Sequence, residues 1–407
     1  MSPRPVRFRP PPVAMSPAIL WMLRRAFGPP GTPAPAVEPA VALALCRQFE
    51  LAGRVAARQG RARLLSELGE EGAAGLVHEQ TASAGMGMRL AALATRVAEA
   101  AAERGIPLVF LKFAALELSG ALAPGSRWAC DVDVLVPEEG AEELQGALAA
   151  RGLSASTLPE LEHQLPTLAG PEGVVELHRV LLGVRLSGRG SATAGDLAQA
   201  GLLVPLPDLP GRAATPAPAV AAAYALVHGL GQHGWWPLSY PLFKMVADLL
   251  DLGFGEAPGA SIGTSAEAAG TWIAGTWIAE DVPPAEVAAV RLLCAALAAG
   301  DDLSSWGEAP DPPALLLRHL LAGRLDPGYE RSLRLGLFRG QPSDRPPATR
   351  LARTLFRTVF LTRGQVDALY GPPRGGALGY LGRRLWRPVD LAGRLVSYGA
   401  SAWKARS

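Results

Sequence analysis

Apolar residues recur at helical spacing toward the end of the first hundred residues. Leu90, Leu93 and Val97 repeat at intervals of three and four positions, with charged residues on the other faces. Gly105 then ends the pattern, as glycine does at many helix C-termini. The spacing predicts a mainly helical N-terminal region over residues 1–104.

Two short apolar runs follow and predict buried strands. Residues 106–111 read Ile-Pro-Leu-Val-Phe-Leu, and residues 131–136 read Asp-Val-Asp-Val-Leu-Val. Between them, residues 114–122 are compatible with a short helix. A second β-rich stretch over residues 153–182 includes Val-Val-Glu-Leu-His at 174–178. These runs predict a compact α+β core.

Helical patterns dominate the rest of the chain. Residues 138–150 form a predicted helix with glutamates in its first turn, which the helix dipole favours. Five prolines between residues 205 and 218 mark a boundary, and the segments after it predict helices. We therefore expect five regions, namely helical residues 1–104, an α+β core at 105–204, a Pro-rich linker at 205–218, helical residues 219–330 and a basic C-terminal region at 331–407.

The C-terminal region is strongly basic. Residues 331–407 hold 15 Arg or Lys against three Asp, a net charge of +12, so the rest of the chain carries 2 − 12 = −10. Leu378, Leu381 and Leu385 fall on one side of a predicted helix, with Trp386 beside them. We predict that this region docks on the acidic body of the protein. The alternative is an anionic membrane or a nucleic acid.

Composition narrows the class of protein. The chain has 407 residues, of which 49% are hydrophobic and 19% are charged, so it can bury a large core. Its three cysteines are far apart, which excludes a disulfide framework and a CxxC zinc site. No apolar run reaches the ~18–20 residues of a membrane span. These features predict a cytoplasmic protein without integral membrane association.

The clearest chemical signal is the pair Asp131 and Asp133. Residues i and i+2 of a strand point to the same face, so both carboxylates emerge side by side. The residues around them imply a buried strand, where two unpaired carboxylates would be costly. A third acid, Glu176, lies on another short apolar run. Three acids in one small core predict a site for divalent, oxygen-preferring ions, Mg²⁺ or Mn²⁺.

Two cations and one histidine lie near these acids in the sequence. Lys112 ends the first predicted strand, and Arg127 precedes Asp131 by four residues, so both could neutralise phosphate oxygens. His178 follows Glu176 by two residues and therefore shares its face on a strand. The alternatives are an exposed lysine, a surface-loop arginine and a solvent-facing histidine at the strand end.

Together these motifs resemble a known family. The run 106–112 ending in Leu-Lys, then Arg127 and 131–136, then Glu-Leu-His at 176–178, is similar to the uncharacterised bacterial nucleotidyltransferases of the DNA polymerase β superfamily. The similarity extends over most of the chain and is most specific at 106–136 and 174–178. It implies a polymerase β-like fold, that is, a mixed, twisted sheet flanked by helices.

The resemblance also implies roles for individual residues. Asp131 and Asp133 match the two metal-binding aspartates, and Glu176 is expected to be the third acid, so all three are predicted catalytic metal ligands. Lys112, Phe113, Ala114 and Arg127 occupy the predicted nucleotide-binding positions. The implied reaction transfers a nucleoside monophosphate from an NTP to an acceptor, with release of pyrophosphate. The acceptor, whether protein, small molecule or RNA, stays open.

One departure from the family pattern motivates a second hypothesis. Phe113 stands where relatives have a glycine that lets the backbone approach the triphosphate, and Ala114 replaces the usual Ser or Gly. The chain could therefore be a catalytically inactive nucleotidyltransferase fold that binds a nucleotide or a partner. A metal-dependent glycosyltransferase is disfavoured, because the region before Asp131 is helical where that class needs a nucleotide-binding βαβ unit.

Overall fold

A computed structural model of the chain describes residues 17–155, 163–186, 191–229, 242–254, 284–300, 376, 378–386 and 388–389. Its helices are α1 (Pro17–Ala26), α2 (Pro39–Gln48), α3 (Ala52–Ala102), α4 (Lys112–Leu118), α5 (Glu138–Ala150), α6 (Ala194–Gln199), α7 (Pro218–Leu226), α8 (Leu242–Asp251) and α9 (Pro284–Ala299). Its strands are β1 (Leu108–Phe110), β2 (Asp131–Leu135), β3 (Ser154–Ala155), β4 (Leu168–Gly170), β5 (Gly173–His178), β6 (Leu181–Arg185), β7 (Ser191–Ala192), β8 (Leu203–Pro205) and β9 (Ala213–Pro216).

Seven of these strands form one mixed sheet in the order β3-β4-β5-β2-β1-β9-β8. The central strand β2 pairs antiparallel with β1 and parallel with β5. Strands β6 and β7 form a separate two-stranded sheet. The mixed sheet with flanking helices confirms the α+β fold expected for a nucleotidyltransferase core.

The central strands bury both faces of the sheet. Leu108 and Phe110 of β1 belong to a core shared with the C-terminal part of α3 and with α5. Val109, on the opposite face, belongs to a second core built with α1, α2, α7 and α8. Strand β2 alternates in the same way, with Val132 and Val134 in the first core. The site described below lies on the other face of β2, against the second core.

Residues 17–104 are mainly helical, as the periodicity of the N-terminal region indicates, and residues 1–16 lie outside the described residues. Helix α3 is interrupted at Gly60 and Gly69, whose φ angles of 71° and 69° lie in the left-handed region that glycine tolerates. After these breaks, its last turns bury Leu90, Leu93 and Val97 against the sheet. The prediction that these three residues lie on the buried face of one helix is thereby confirmed.

The boundaries of other elements agree with the sequence to different degrees. Helix α5 spans the predicted residues, and Gly152 follows it with a φ of 94°. Helix α4 begins two residues before the predicted start and ends at Leu118. The proline-rich stretch 205–218 contains β9, which pairs in parallel with β1. The sequence of β9, Ala-Ala-Thr-Pro, has little strand propensity, so this strand is recognised only from its hydrogen bonding to β1 in the structure.

The structure covers only a small part of the basic C-terminal region. Residues 378–386 are helical there, and the side chains of Leu378, Leu381, Leu385 and Trp386 are all more than half exposed. Residues 331–375 and 390–407 lie outside the described residues, so docking of this region stays a prediction. Among the helices that the structure describes, none has the length and apolar character to cross a membrane.

Glu67 of α3 links the N-terminal helices through a network of hydrogen bonds. Its carboxylate accepts from Trp21 Nε1 at 3.0 Å and pairs with Arg25 at 2.7 Å and Arg63 at 2.9 Å. Partial burial acts to raise the pKa of Glu67, but these donors outweigh it and hold the pKa below its usual value. The carboxylate therefore stabilises the fold in its ionised form.

We expect Glu67→Gln to lower the melting temperature at pH 7, and the difference from the wild type to shrink as the pH falls below about 4.5. A depressed folded-state pKa contributes stability above the unfolded-state pKa and loses it as the pH falls toward the folded value. Thermal melts between pH 7 and pH 3.5 measure this difference. Glu70→Gln, which removes an exposed pair with Arg61, is the matched control. A pH-independent difference for Glu67→Gln contradicts the prediction.

Candidate functional site

The acids predicted from the sequence come together on two neighbouring parallel strands. Side chains alternate along a strand, so Asp131, Asp133 and Leu135 share the face of β2 that meets the second core. The register of β2 and β5 places Asp133 directly beside Glu176. His178 lies two residues further along β5 on the same face. The structure thus assembles the three acids and the histidine at one place on the sheet.

Asp133 is the most buried of these acids, with a side chain that is 1% exposed. Lys112 Nζ donates to its Oδ1 at 2.8 Å, and His178 Nε2 lies 2.9 Å from the same oxygen. Burial acts to raise the pKa of Asp133, but Lys112 and His178 outweigh it and lower the pKa well below its usual range. Both contacts are made to Oδ1, and Asp133 also lines a cavity.

Glu176 has the opposite electrostatic character. Burial, and next the nearby carboxylate of Asp133, raise the pKa of Glu176 to about 7. Its Oε2 lies 3.7 Å from His178 Nε2. The Nδ1 atom of His178 is buried without a hydrogen-bond partner, so this imidazole directs only Nε2 toward the acids. Glu176 therefore lacks the compensation that Lys112 gives Asp133, and an added cation beside it would be stabilised.

These side chains fit a divalent metal ion. Asp133, Glu176 and His178 each offer a ligand atom, and the three atoms lie within 4.8 Å of one another. Carboxylate oxygens are the donors that Mg²⁺ and Mn²⁺ prefer, whereas imidazole is a common ligand of Zn²⁺ and Fe²⁺. Asp131 is not one of these three, but its half-buried side chain lines the same cavity as Asp133. The cluster could therefore hold a metal beside the cavity.

Lys112 lines the cavity beside Asp131 and Asp133. It is the first residue of α4, and its φ of 49° is in the left-handed region that non-glycine residues rarely adopt. Its Nζ lies 6.0 Å from the ring centroid of Tyr224, a buried residue of α7. Burial acts to lower the pKa of Lys112, but the nearby acids, first Asp133, raise it above its usual value. The lysine is therefore charged, and its first partner is Asp133.

Phe113 and Ala114 point away from the cavity. Both side chains are 3% exposed and belong to the core beneath the sheet. The Arg127 guanidinium lies 5.6 Å from the Phe113 ring centroid. The Phe113 side chain therefore turns into the core and does not line the cavity. Neither side chain is among the described residues that line the cavity.

Arg127 lines the cavity but is held by a second acid. Its Nε and Nη2 atoms donate to the two carboxylate oxygens of Asp248 at 2.5 and 2.8 Å, across 121 residues of sequence. This bidentate pair joins the loop before β2 to α8. The sequence suggested a phosphate ligand or a surface residue, and the structure shows a largely buried side chain with a specific partner.

The cavity lies between the sheet, α4, α7 and α8 and has a volume of about 480 Å³. Most of its wall is apolar, and charged groups cluster where Asp131, Asp133 and Lys112 meet it. The sequence did not identify several of the lining residues as parts of the site, because they lie in helices whose apolar patterns are typical of a hydrophobic core. Those residues include Tyr224, His228, Lys244, Met245, Asp248 and Asp251.

Comparison with known proteins adds one match. A model of the family described as uncharacterised nucleotidyltransferase matches residues 35–247, just over half of the chain. No curated protein and no solved structure match the chain. The matched span contains β1, β2, β5 and α7, and therefore all the acids of the candidate site as well as Lys112 and His178.

Proposed function

The chain belongs to the uncharacterised nucleotidyltransferase family, and from this premise we propose that it is a Mg²⁺-dependent enzyme of the DNA polymerase β superfamily. It would transfer a nucleoside monophosphate from an NTP to an acceptor and release pyrophosphate. The observation that carries this proposal is the adjacency of Asp133 and Glu176 on parallel strands beside a cavity. Their carboxylates would hold a metal ion at the side of the cavity where we propose that the triphosphate binds.

Each acid has a proposed role. Asp131 and Asp133 would hold the nucleotide-bound metal, and Glu176, together with the two aspartates, would complete a second metal site. A divalent ion bound here neutralises the triphosphate and makes an acceptor hydroxyl easier to deprotonate. Together with the metal ion, Glu176 would also help to activate the acceptor hydroxyl.

Lys112 and Arg127 are the proposed phosphate ligands. Both line the cavity, but Lys112 is paired with Asp133 and Arg127 with Asp248. Phosphate binding therefore requires that each cation exchanges or shares its carboxylate partner. Phe113 and Ala114 stay proposed nucleotide-binding residues through main-chain atoms only, because their side chains are buried.

The acceptor and the compartment are also proposals. A cavity of about 480 Å³ with a mainly apolar wall accommodates a small molecule or a single side chain of a protein, and an RNA end is the third option. Cys46, Cys130 and Cys294 are all free thiols, which supports a reducing compartment such as the bacterial cytoplasm.

The position of a radioactive label tests the reaction directly. We expect the purified protein, with Mg²⁺ or Mn²⁺ and a cell lysate, to transfer label from α-labelled NTP to an acceptor. Label from γ-labelled NTP should leave as pyrophosphate, because nucleotidyl transfer breaks the bond between the α and β phosphates. Transfer of the γ label alone would identify a kinase, and no transfer of either label would argue against catalysis.

One observation favours the second function, an inactive fold that binds a nucleotide or a partner. Lys112 occupies Asp133 Oδ1 at 2.8 Å and supplies a positive charge at the proposed metal site. A binding module should be stabilised by NTPs in a thermal-shift assay without transferring any label, since ligands that bind the native state raise its melting temperature. Transfer of the α label would exclude it.

A further inference from the structure

Among the described residues, only one of the three acids of the site pairs with a lysine or an arginine. Lys112 pairs with Asp133 at 2.8 Å, while neither Asp131 nor Glu176 forms an ion pair with a lysine or arginine in the described part of the chain. Asp133 itself is 1% exposed, and a buried carboxylate without a counter-ion is strongly unfavourable. The lysine ammonium therefore compensates the most buried acid of the candidate metal site.

A divalent ion at the same acids would meet this ammonium. Its ligand atoms on Asp133, Glu176 and His178 lie within 4.8 Å of one another, and Lys112 Nζ lies 2.8 Å from Oδ1 of the Asp133 carboxylate. Two cations this close repel each other, and in a buried site the repulsion is only weakly screened. The divalent ion can bind tightly only if the Lys112 ammonium moves away from Asp133 or pairs with another anion.

Lys112 combines a left-handed backbone with a partly exposed side chain. Its φ of 49° is unusual for a lysine, and such strained residues persist only where surrounding contacts hold them. The contact with Asp133 is one such restraint. The side chain is 18% exposed and lines the cavity, so its ammonium can turn toward an anion bound there without crossing the core.

We propose that Lys112 is the resident cation of the site, which competes with a divalent metal ion for Asp133 until an anionic ligand in the cavity takes over its ammonium. The inference rests on the proposed function for the identity of the metal ligands and of the anion, a polyphosphate. It makes metal binding and polyphosphate binding mutually reinforcing, since coupling between two ligands is reciprocal.

Metal binding without any nucleotide provides the test. We expect Lys112→Met to bind Mn²⁺ about tenfold more tightly than the wild type, measured by electron paramagnetic resonance of free Mn²⁺ and by calorimetry. Lys244→Met is the matched control, because Lys244 also lines the cavity but pairs with Glu50, and its Mn²⁺ affinity should stay within about twofold of the wild type. Adding Asp133→Asn to Lys112→Met should abolish the gain.

A second variant guards against a folding defect. Lys112→Gln keeps a hydrogen-bond donor beside Asp133 without the charge, and it too should bind Mn²⁺ more tightly than the wild type. Unchanged or weaker Mn²⁺ binding by a folded Lys112→Gln or Lys112→Met overturns the proposal. Failure of every protein to bind Mn²⁺ overturns both this proposal and the metal site. Tighter Mn²⁺ binding in a protein that transfers no nucleotide supports the competition by Lys112 and rejects only the proposed reaction.

Discussion

Asp133→Asn is expected to reduce nucleotidyl transfer by about a thousandfold or more, while the α-labelled NTP assay still detects the wild-type reaction. Asparagine has nearly the same shape, so the change removes the negative charge that attracts a metal and leaves the packing of β2 almost intact. Asp133 is central because it contacts Lys112 and His178 and lies beside Glu176. Its loss should also weaken the binding of Mn²⁺.

Two controls accompany this variant. Asp208→Asn changes an exposed aspartate in the turn after β8, far along the chain from the site, and should leave transfer unchanged. Because Lys112 loses its partner, the melting temperature of Asp133→Asn must be measured, and transfer compared below it. A folded Asp133→Asn protein with wild-type transfer would reject the assignment of Asp133 as a metal ligand and with it the proposed mechanism.

Arg54→Met is expected to destabilise the protein by about 3 kcal/mol, because it leaves a largely buried acid without its counter-ion. Arg54 Nη1 and Nη2 donate to the two oxygens of Asp251 at 2.7 and 2.9 Å, and Nε donates to the carbonyl of Ala26 at 3.0 Å. The guanidinium also lies 5.4 Å from the Phe27 ring centroid. These contacts join α3, α8 and the end of α1.

Arg61→Met is the matched control for this second prediction. Arg61 pairs with Glu70, but the two side chains are 65% and 71% exposed, so losing that pair should cost less than about 0.5 kcal/mol. Denaturant unfolding of both variants measures the two free energies. Equal destabilisation by Arg54→Met and Arg61→Met would show that the pair with Asp251 contributes no more than a surface ion pair.

Local sequence patterns predicted the elements that carry the site. The alternation in 131–136 places Asp131 and Asp133 on one face whatever the partner strands are, because side chains alternate along any strand. The same rule places His178 on the face of Glu176. Resemblance to the family then joined these two segments, and the match over residues 35–247 supports that connection.

Contacts between distant residues were not predictable in this way. The pairing of Arg127 with Asp248 and of Arg54 with Asp251 joins residues separated by 121 and 197 positions. When a charged residue such as Asp248 lies within an apolar helical pattern, the sequence does not indicate which residue it pairs with. Strand β9 was missed for a similar reason, since its residues have little strand propensity and its hydrogen bonds come from β1 and β8.

The sequence by itself determined which residue types could form the site and the face of each strand on which they lie, since periodicity is a local property of the backbone. Only the tertiary structure decided their partners. The parallel register of β2 and β5 sets Glu176 beside Asp133, and the left-handed backbone at Lys112 accompanies a contact with a carboxylate instead of an open position for phosphate. Charges in a buried site act through distance and desolvation, and both depend on how the whole chain packs.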